Sequence, residues 1–240
     1  MTYIKNMNTD ALNDVLIEVS KKPDKKDLIF FDNLIENIQN SLLEKVKINL
    51  IYLLGEIGKN NFLEKKYINY LIKSYFNSDR WERNEIIQSL AKIININEVS
   101  SEIFDIIAYA ILEEYIPTKI NALKLLKKLN PIPNIILKNL IKVIDFSNLE
   151  VVEYSIQILK EHIKNDLALF SMLNTDENYA LLTKNSVRTL LIEYFNSVID
   201  LTNFKEKILE SNWKENYKTL FVKEIESYQR ILLNQGKNLS

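Results

Sequence analysis

Apolar positions recur along this chain at helical intervals. Leu50, Leu53, Leu54 and Ile57 form one such group, Ile86, Leu90 and Ile93 a second, and Leu125, Leu126 and Leu129 a third. Side chains three, four and seven residues apart share one face of a helix, so the spacing predicts amphipathic helices. No run alternates strictly between apolar and polar, and no Asn-Gly or Asp-Gly pair offers a tight hairpin turn. With only three glycines and four prolines to interrupt them, the helices should fill the chain. The expected class is all-α.

The helices also repeat. The stretch Val46–Ile57 finds counterparts starting at Glu82, Thr118, Val151 and Val187, in steps of 36, 36, 33 and 36 residues. With each starting residue as offset 0, offsets 0, 4, 7, 8 and 11 fall on one helix face. Those 25 positions carry 20 apolar residues, a share well above the 47% of the whole chain, which marks them as the core face. Offset 1 supplies a second signal. It holds Lys47, Arg83, Lys119, Val152 and Arg188, basic in four of five places.

Val187-Arg188 and Leu54-Gly55-Glu56-Ile57 match fragments of the pattern Val-Arg-x-x-Ala-x-x-Ala-Leu-Gly-x-Ile, which closes the helical hairpin of a HEAT repeat. Residues 28 to 200 thus resemble a HEAT-repeat protein of the ARM/HEAT-like superfamily. The resemblance implies a right-handed α-solenoid of about five helical hairpins with terminal capping helices. In that family the basic residue at offset 1 forms a ladder with an acid in a neighbouring turn, and Asp79 is the acid it suggests here. Val152 departs from the ladder, and Lys127 and Lys160 stand where the family has a small residue, at offset 9.

The helices numbered from Val46, Glu82, Thr118, Val151 and Val187 are then the second of each hairpin. First helices are expected near Leu28–Asn40, Phe62–Phe76, Val99–Glu114 and Ile132–Ile144, with an irregular one in Asp166–Thr183 and a loop at Thr175–Asn178. Pro23, Pro117, Pro131 and Pro133 all fall between predicted helices, where proline does least harm. The reading is one domain over 1–240: an N-terminal cap in 1–26, repeats in 27–200 and a C-terminal cap in 201–240, with helices at 8–20, 203–211 and 213–234.

Composition then narrows the chemistry. The chain has no cysteine and a single histidine, His162. This excludes disulfides, thiolate metal sites and histidine-rich metal sites, and it fits a reducing, cytoplasmic setting. Gly55-Glu56-Ile57-Gly58 is too short of glycines for a phosphate loop and reads as a helix C-cap. His162, on the core face, reads as a packed side chain. The acid pairs Glu113-Glu114 and Asp176-Glu177 read as exposed helix ends. No catalytic, cofactor-binding or metal-ligating residue is therefore assigned. Asp10, Asp14 and Glu18 interrupt the N-terminal segment, so no signal peptide is expected, and no apolar run is long enough to insert in a membrane. A net charge of −1 argues against nucleic acid as the partner.

What remains is a surface for binding. Offsets 2, 6, 9 and 13 face away from the core, towards the inner curve of a HEAT-like array. They present Tyr52, Lys59, Gln88, Lys124, Lys127, Gln157, Lys160 and Lys164, with Glu153, Glu193 and Asp200 among them. The stretch between Glu114 and Asp145 holds no acid but carries Lys119, Lys124, Lys127, Lys128, Lys138 and Lys142. These residues are the candidate site for a protein partner with an acidic segment. The leading expectation is a non-enzymatic scaffold or adaptor. Two alternatives stand beside it. One is a HEAT-like DNA-binding or alkylated-base glycosylase-type enzyme, by resemblance of size and architecture. The other is a structural subunit of a larger assembly, with Ile48 and Ile120 in its interface.

A second candidate is the turn Arg80-Trp81-Glu82-Arg83. Lysine outnumbers arginine 27 to 4 in this chain, yet half the arginines and one of two tryptophans meet here. The expected arrangement packs Trp81 into the turn with Arg83 in the ladder. The other arrangement is a recognition hot spot at Arg80 and Trp81.

Overall fold

The structure is a computed structural model and describes residues 7–144, 148–163, 168–175, 182–197 and 201–237. Among these residues every regular element is an α-helix, as the periodicity predicts. In order they are α1 (Thr9–Lys21), α2 (Asp27–Asn37), α3 (Asn40–Gly58), α4 (Lys65–Tyr75), α5 (Arg80–Ile93), α6 (Ser101–Ala110), α7 (Ile116–Leu126), α8 (Asn134–Val143), α9 (Leu149–Ile163), α10 (Ala168–Leu173), α11 (Lys184–Ser197), α12 (Leu201–Glu210) and α13 (Glu215–Lys237). They gather into two compact units, Met1–Leu129 and Asn130–Ser240. The expected loop Thr175–Asn178, after Thr175, and the expected end of the Asp166–Thr183 helix lie largely outside the described residues.

In the first unit α3 packs on α1, α2 and α5, α5 on α4 and α7, and α6 on α4 and α7. Hydrogen bonds give the direction of packing. Asn49 donates to Asn13, Ser89 to the Ile51 carbonyl, Asn121 to Asn84 and Lys128 to the Ala91 carbonyl, with partners 36, 38, 37 and 37 residues apart. The separation holds along each pair, from Lys47–Glu82 to Glu56–Lys92 between α3 and α5 and from Asn84–Asn121 to Ala91–Lys128 beside α5 and α7, so α3, α5 and α7 run parallel. An antiparallel pair would change its separation by two with every residue. The helices between them keep the same step: Tyr67 on α4 donates to Asp32 on α2 at 2.9 Å, 35 residues back. Phe76, just past α4, meets Tyr109 on α6 edge to face at 5.2 Å.

The predicted core face is the observed one. Across α3, α5, α7, α9 and α11, offsets 0, 4, 7, 8 and 11 are buried except at Glu82, His162 and Phe195, which are half-buried; Val198 lies outside the described residues. Leu54, Leu90, Leu126 and Leu159 are fully buried, each stabilising its own unit by roughly 1.5–3 kcal/mol through desolvation. In the second unit α9 packs on α8, α10 and α11, and α13 on α11 and α12. Phe170 on α10 is fully buried and touches the rings of Tyr194, Phe204 and Phe221 edge to face. Trp213 packs on Phe221 at 5.4 Å.

Two local readings need correction. Gly55 and Gly58 do not form a glycine C-cap: α3 runs through Gly58, and no glycine takes a positive φ. Both sit where α3 meets its neighbours closely. A Cβ on Gly55 would lie 2.9 Å from the Ser89 Cα, and one on Gly58 would lie 2.5 Å from Ile93 Cγ1. Asp79 is not a ladder acid either. Its carboxylate caps α5, accepting from the Trp81 and Glu82 amides at 2.8 and 2.9 Å, and Glu82 completes a capping box.

The acids that meet offset 1 are others. Lys47, buried, pairs with Glu82 at 3.1 Å and donates to the Asn77 carbonyl at 3.3 Å. Arg83 pairs with Glu113 at 2.8 Å, and Arg188 with Glu224 at 3.0 Å. Burial pulls the Lys119 ammonium below the usual lysine range, and Glu114 offsets part of that.

Candidate functional site

Parallel, in-register packing decides which side chains become neighbours. Residues at offset 6 fall at the same turn and on the same face of α3, α5 and α7, which sets Tyr52, Gln88 and Lys124 in one row. Tyr52, Lys59, Lys124 and Lys127 are exposed, and Gln88 is half-buried. Ile48 is exposed one turn before Tyr52, and Ile120 is half-buried one turn before Lys124. In the second unit Gln157 and Lys160 are exposed, and Lys160 holds Glu193 at 2.6 Å, so its charge is matched locally. Lys164 lies outside the described residues, as do Asp176, Glu177 and Asp200.

A charged group missed at the level of sequence borders this row. Lys92 on α5 holds Glu56 on α3 at 2.8 Å and lies over the Tyr52 ring at 4.6 Å. Glu85 sits on the same helix with a buried carboxylate oxygen that meets no hydrogen-bond donor. Burial raises its pKa above the ordinary 4.5, Lys92 acts against the rise and Glu56 adds to it. A carboxyl group that binds its proton more tightly when folded costs stability once the pH passes its unfolded value. Glu85→Gln should therefore stabilise the protein at pH 7 by up to ~1 kcal/mol, a modest figure because solvent still screens part of the group. Parent and variant should converge below pH 4.5, the unfolded value. Urea unfolding at pH 4 and pH 7 tests this; an equal gain at both would mean that the charge is not the cause.

The Arg80–Trp81 turn differs from the packed arrangement expected of it. The capping box at Asp79 starts α5 so that Arg80 and Trp81 occupy its first turn. Trp81 meets Tyr115, the residue before α7, edge to face at 5.2 Å, yet it remains 53% exposed. The Arg80 guanidinium lies 5.2 Å from the Trp81 ring and 5.5 Å from the Tyr115 ring. It makes no ion pair with a described residue, unlike Arg83, which donates to Glu113 at 2.8 Å and to the Ser78 carbonyl at 2.5 Å.

Glu113 also accepts from the Tyr75 hydroxyl at 2.5 Å. Burial, and then that carboxylate, hold the Tyr75 hydroxyl protonated well beyond the usual phenol range. The Arg83–Glu113 pair divides two open clefts. One, about 360 Å³, lies against Phe76, Tyr109 and Leu112; the other, about 670 Å³, lies against Arg80, Tyr115 and Pro117. Phe76 and Tyr109 are 55% and 61% exposed. Sequence reasoning found Arg80 and Trp81 through the rarity of their residue types. It missed Phe76, Tyr109 and Tyr115, which carry no such signal.

No protein-family model, no curated protein and no solved structure gives a significant match to the chain. Among the described residues no group of three or more His, Asp or Glu side chains could hold a metal ion, and no helix is long and apolar enough to cross a membrane.

Proposed function

We propose that the chain is a non-enzymatic, cytoplasmic scaffold of HEAT-like repeats that binds a protein partner along the exposed face of α3, α5 and α7. The observation that carries this reading is the parallel, in-register packing of those helices. It repeats one set of offsets on each helix and so lines up side chains across all three. Helices pack about 8–10 Å apart, and an extended chain advances about 3.3–3.6 Å per residue. A partner segment crossing the three helices meets a fresh row roughly every third residue. Ile48 and Tyr52 supply apolar contact, Gln88 hydrogen bonds, and Lys59, Lys124 and Lys127 positive charge, which suits an acidic segment. Gln157 and Lys160 occupy the corresponding positions of the second unit. The near-neutral net charge, −1, gives no general attraction for a phosphate backbone, so the partner is a protein.

A photoreactive phenylalanine derivative placed at Tyr52 or at Gln88 tests the face in the native cell. Both positions should crosslink to the same protein, and Ile29, exposed on α2, should not. Equal capture from all three positions, or none from Tyr52 and Gln88, would remove this face as the binding site.

A further inference from the structure

We infer that the turns preceding α5 and α7 form a second docking site, for a peptide that presents one carboxylate to Arg80 and, a few residues away, an aromatic or aliphatic side chain to Phe76, Tyr109 and Leu112. The inference rests on the reading of the chain as a protein-binding scaffold, and it names a different surface and the chemistry of what binds there.

The charge argument comes from Arg80. Among the described residues no carboxylate lies within ion-pair distance of its guanidinium, and none of its donors meets a protein acceptor. The other arginine of the turn, Arg83, is satisfied by Glu113 and Ser78. Trp81 and Tyr115, themselves in contact, both lie against the Arg80 guanidinium without using its N–H groups. An arginine restrained by aromatic rings loses little further entropy when a carboxylate takes its planar fork of donors.

The apolar argument comes from the adjoining cleft. Phe76 and Tyr109 hold each other edge to face at 5.2 Å, and Tyr75 backs Phe76 at 5.3 Å, so the exposed rings are pre-positioned. Leu112 beside them is also exposed. Large aromatic and aliphatic surface in one place, next to an unfilled arginine, is the composition of a recognition hot spot. The Arg83–Glu113 pair between the clefts is internally neutralised, and Glu114 lines the cleft that holds Arg80. One unmatched cation beside an exposed acid offers a partner for a single carboxylate and no net positive field for the dense charge of a nucleic acid strand.

A displayed library of random 12-residue peptides, selected on the full chain, is the probe. Enriched sequences should pair Asp or Glu with Phe, Trp or Leu within about four residues. The best peptide should lose at least tenfold in affinity on Arg80→Gln and on Tyr109→Ala. It should lose severalfold on Arg80→Lys, which keeps the charge without the fork, and be unaffected by Tyr52→Ala. Thermal unfolding of each variant identifies any that fail to fold, and Arg80→Lys then carries the comparison. Peptides without an acid, or binding equal for the parent and the Arg80 variants, would overturn the site. Tighter, Arg80-dependent binding of a 20-nucleotide oligo-dT would overturn its peptide assignment. If Tyr52 and Gln88 capture a partner while the Arg80 variants change nothing, the scaffold reading stands and this second site falls. If neither site captures anything, both fall.

Discussion

Replacing Leu90 with alanine is expected to lower the unfolding free energy by about 2–5 kcal/mol. Leu90 has no exposed surface and lies on α5, which packs against α3, α4 and α7. The loss has two parts. Removing three buried carbon atoms forfeits their transfer free energy, and the helices around α5 can collapse only partly into the space left. Ser89 holds α5 to the Ile51 carbonyl at 3.0 Å, and Asn84 accepts from Asn121 at 2.9 Å, so α5 is tied to α3 and to α7. That restraint argues for the upper half of the range. Urea unfolding should show a lower midpoint with an unchanged slope. A loss below ~1 kcal/mol would mean that Leu90 is not a core residue of the first unit.

Leu90 could be assigned to the core because burial writes a period into the sequence. Each helix needs one apolar face, and the offsets at Val46, Glu82 and Thr118 repeat that need with little drift. Contacts across helices leave no such trace. Lys160 reads as a free cation, yet its acid partner Glu193 is 33 residues further on and belongs to another helix. Glu113 reads as an exposed helix end, although α6 stops at Ala110 and the carboxylate turns back to Arg83 and Tyr75. Asp79 and Glu82 were both visible as acids near a helix start. Only geometry separates their roles: Asp79 takes the two amides of the first turn, and Glu82 accepts from the Asp79 amide and pairs with Lys47.

The same limit applies to the second candidate surface. The rarity of arginine and tryptophan drew attention to Arg80 and Trp81, but residue type does not say which arginine finds an acid. Arg83 does and Arg80 does not, because Glu113 approaches α5 one turn beyond its first residue. The aromatic residues that complete the surface come from three separate places in the chain: just past α4, the end of α6 and just before α7. Their proximity is a product of the 36-residue step, which brings equivalent turns together whatever residues they carry.

Gly55→Ala should destabilise the protein by about 2 kcal/mol or more, although alanine is the better helix former by roughly 1 kcal/mol. An added Cβ would press on the Ser89 hydroxyl and lie 2.8 Å from the Ser89 Cβ and 2.9 Å from its Cα. The last of these is backbone, so no side-chain rotation relieves it. To admit the methyl group α3 and α5 must move apart, which loosens the packing of α3 on α5 and strains the bond from Ser89 to the Ile51 carbonyl. Ser89→Gly separates this account from a simple helix effect. That change alone removes a hydrogen bond and adds a glycine, costing about 1–2 kcal/mol. Combined with Gly55→Ala it also removes two of the three close contacts. The double variant should therefore be at least ~1 kcal/mol more stable than the sum of the single losses predicts, a coupling that unlinked positions would not show. Additive losses would mean that the two residues do not meet, and that α3 and α5 are held apart by something other than this glycine.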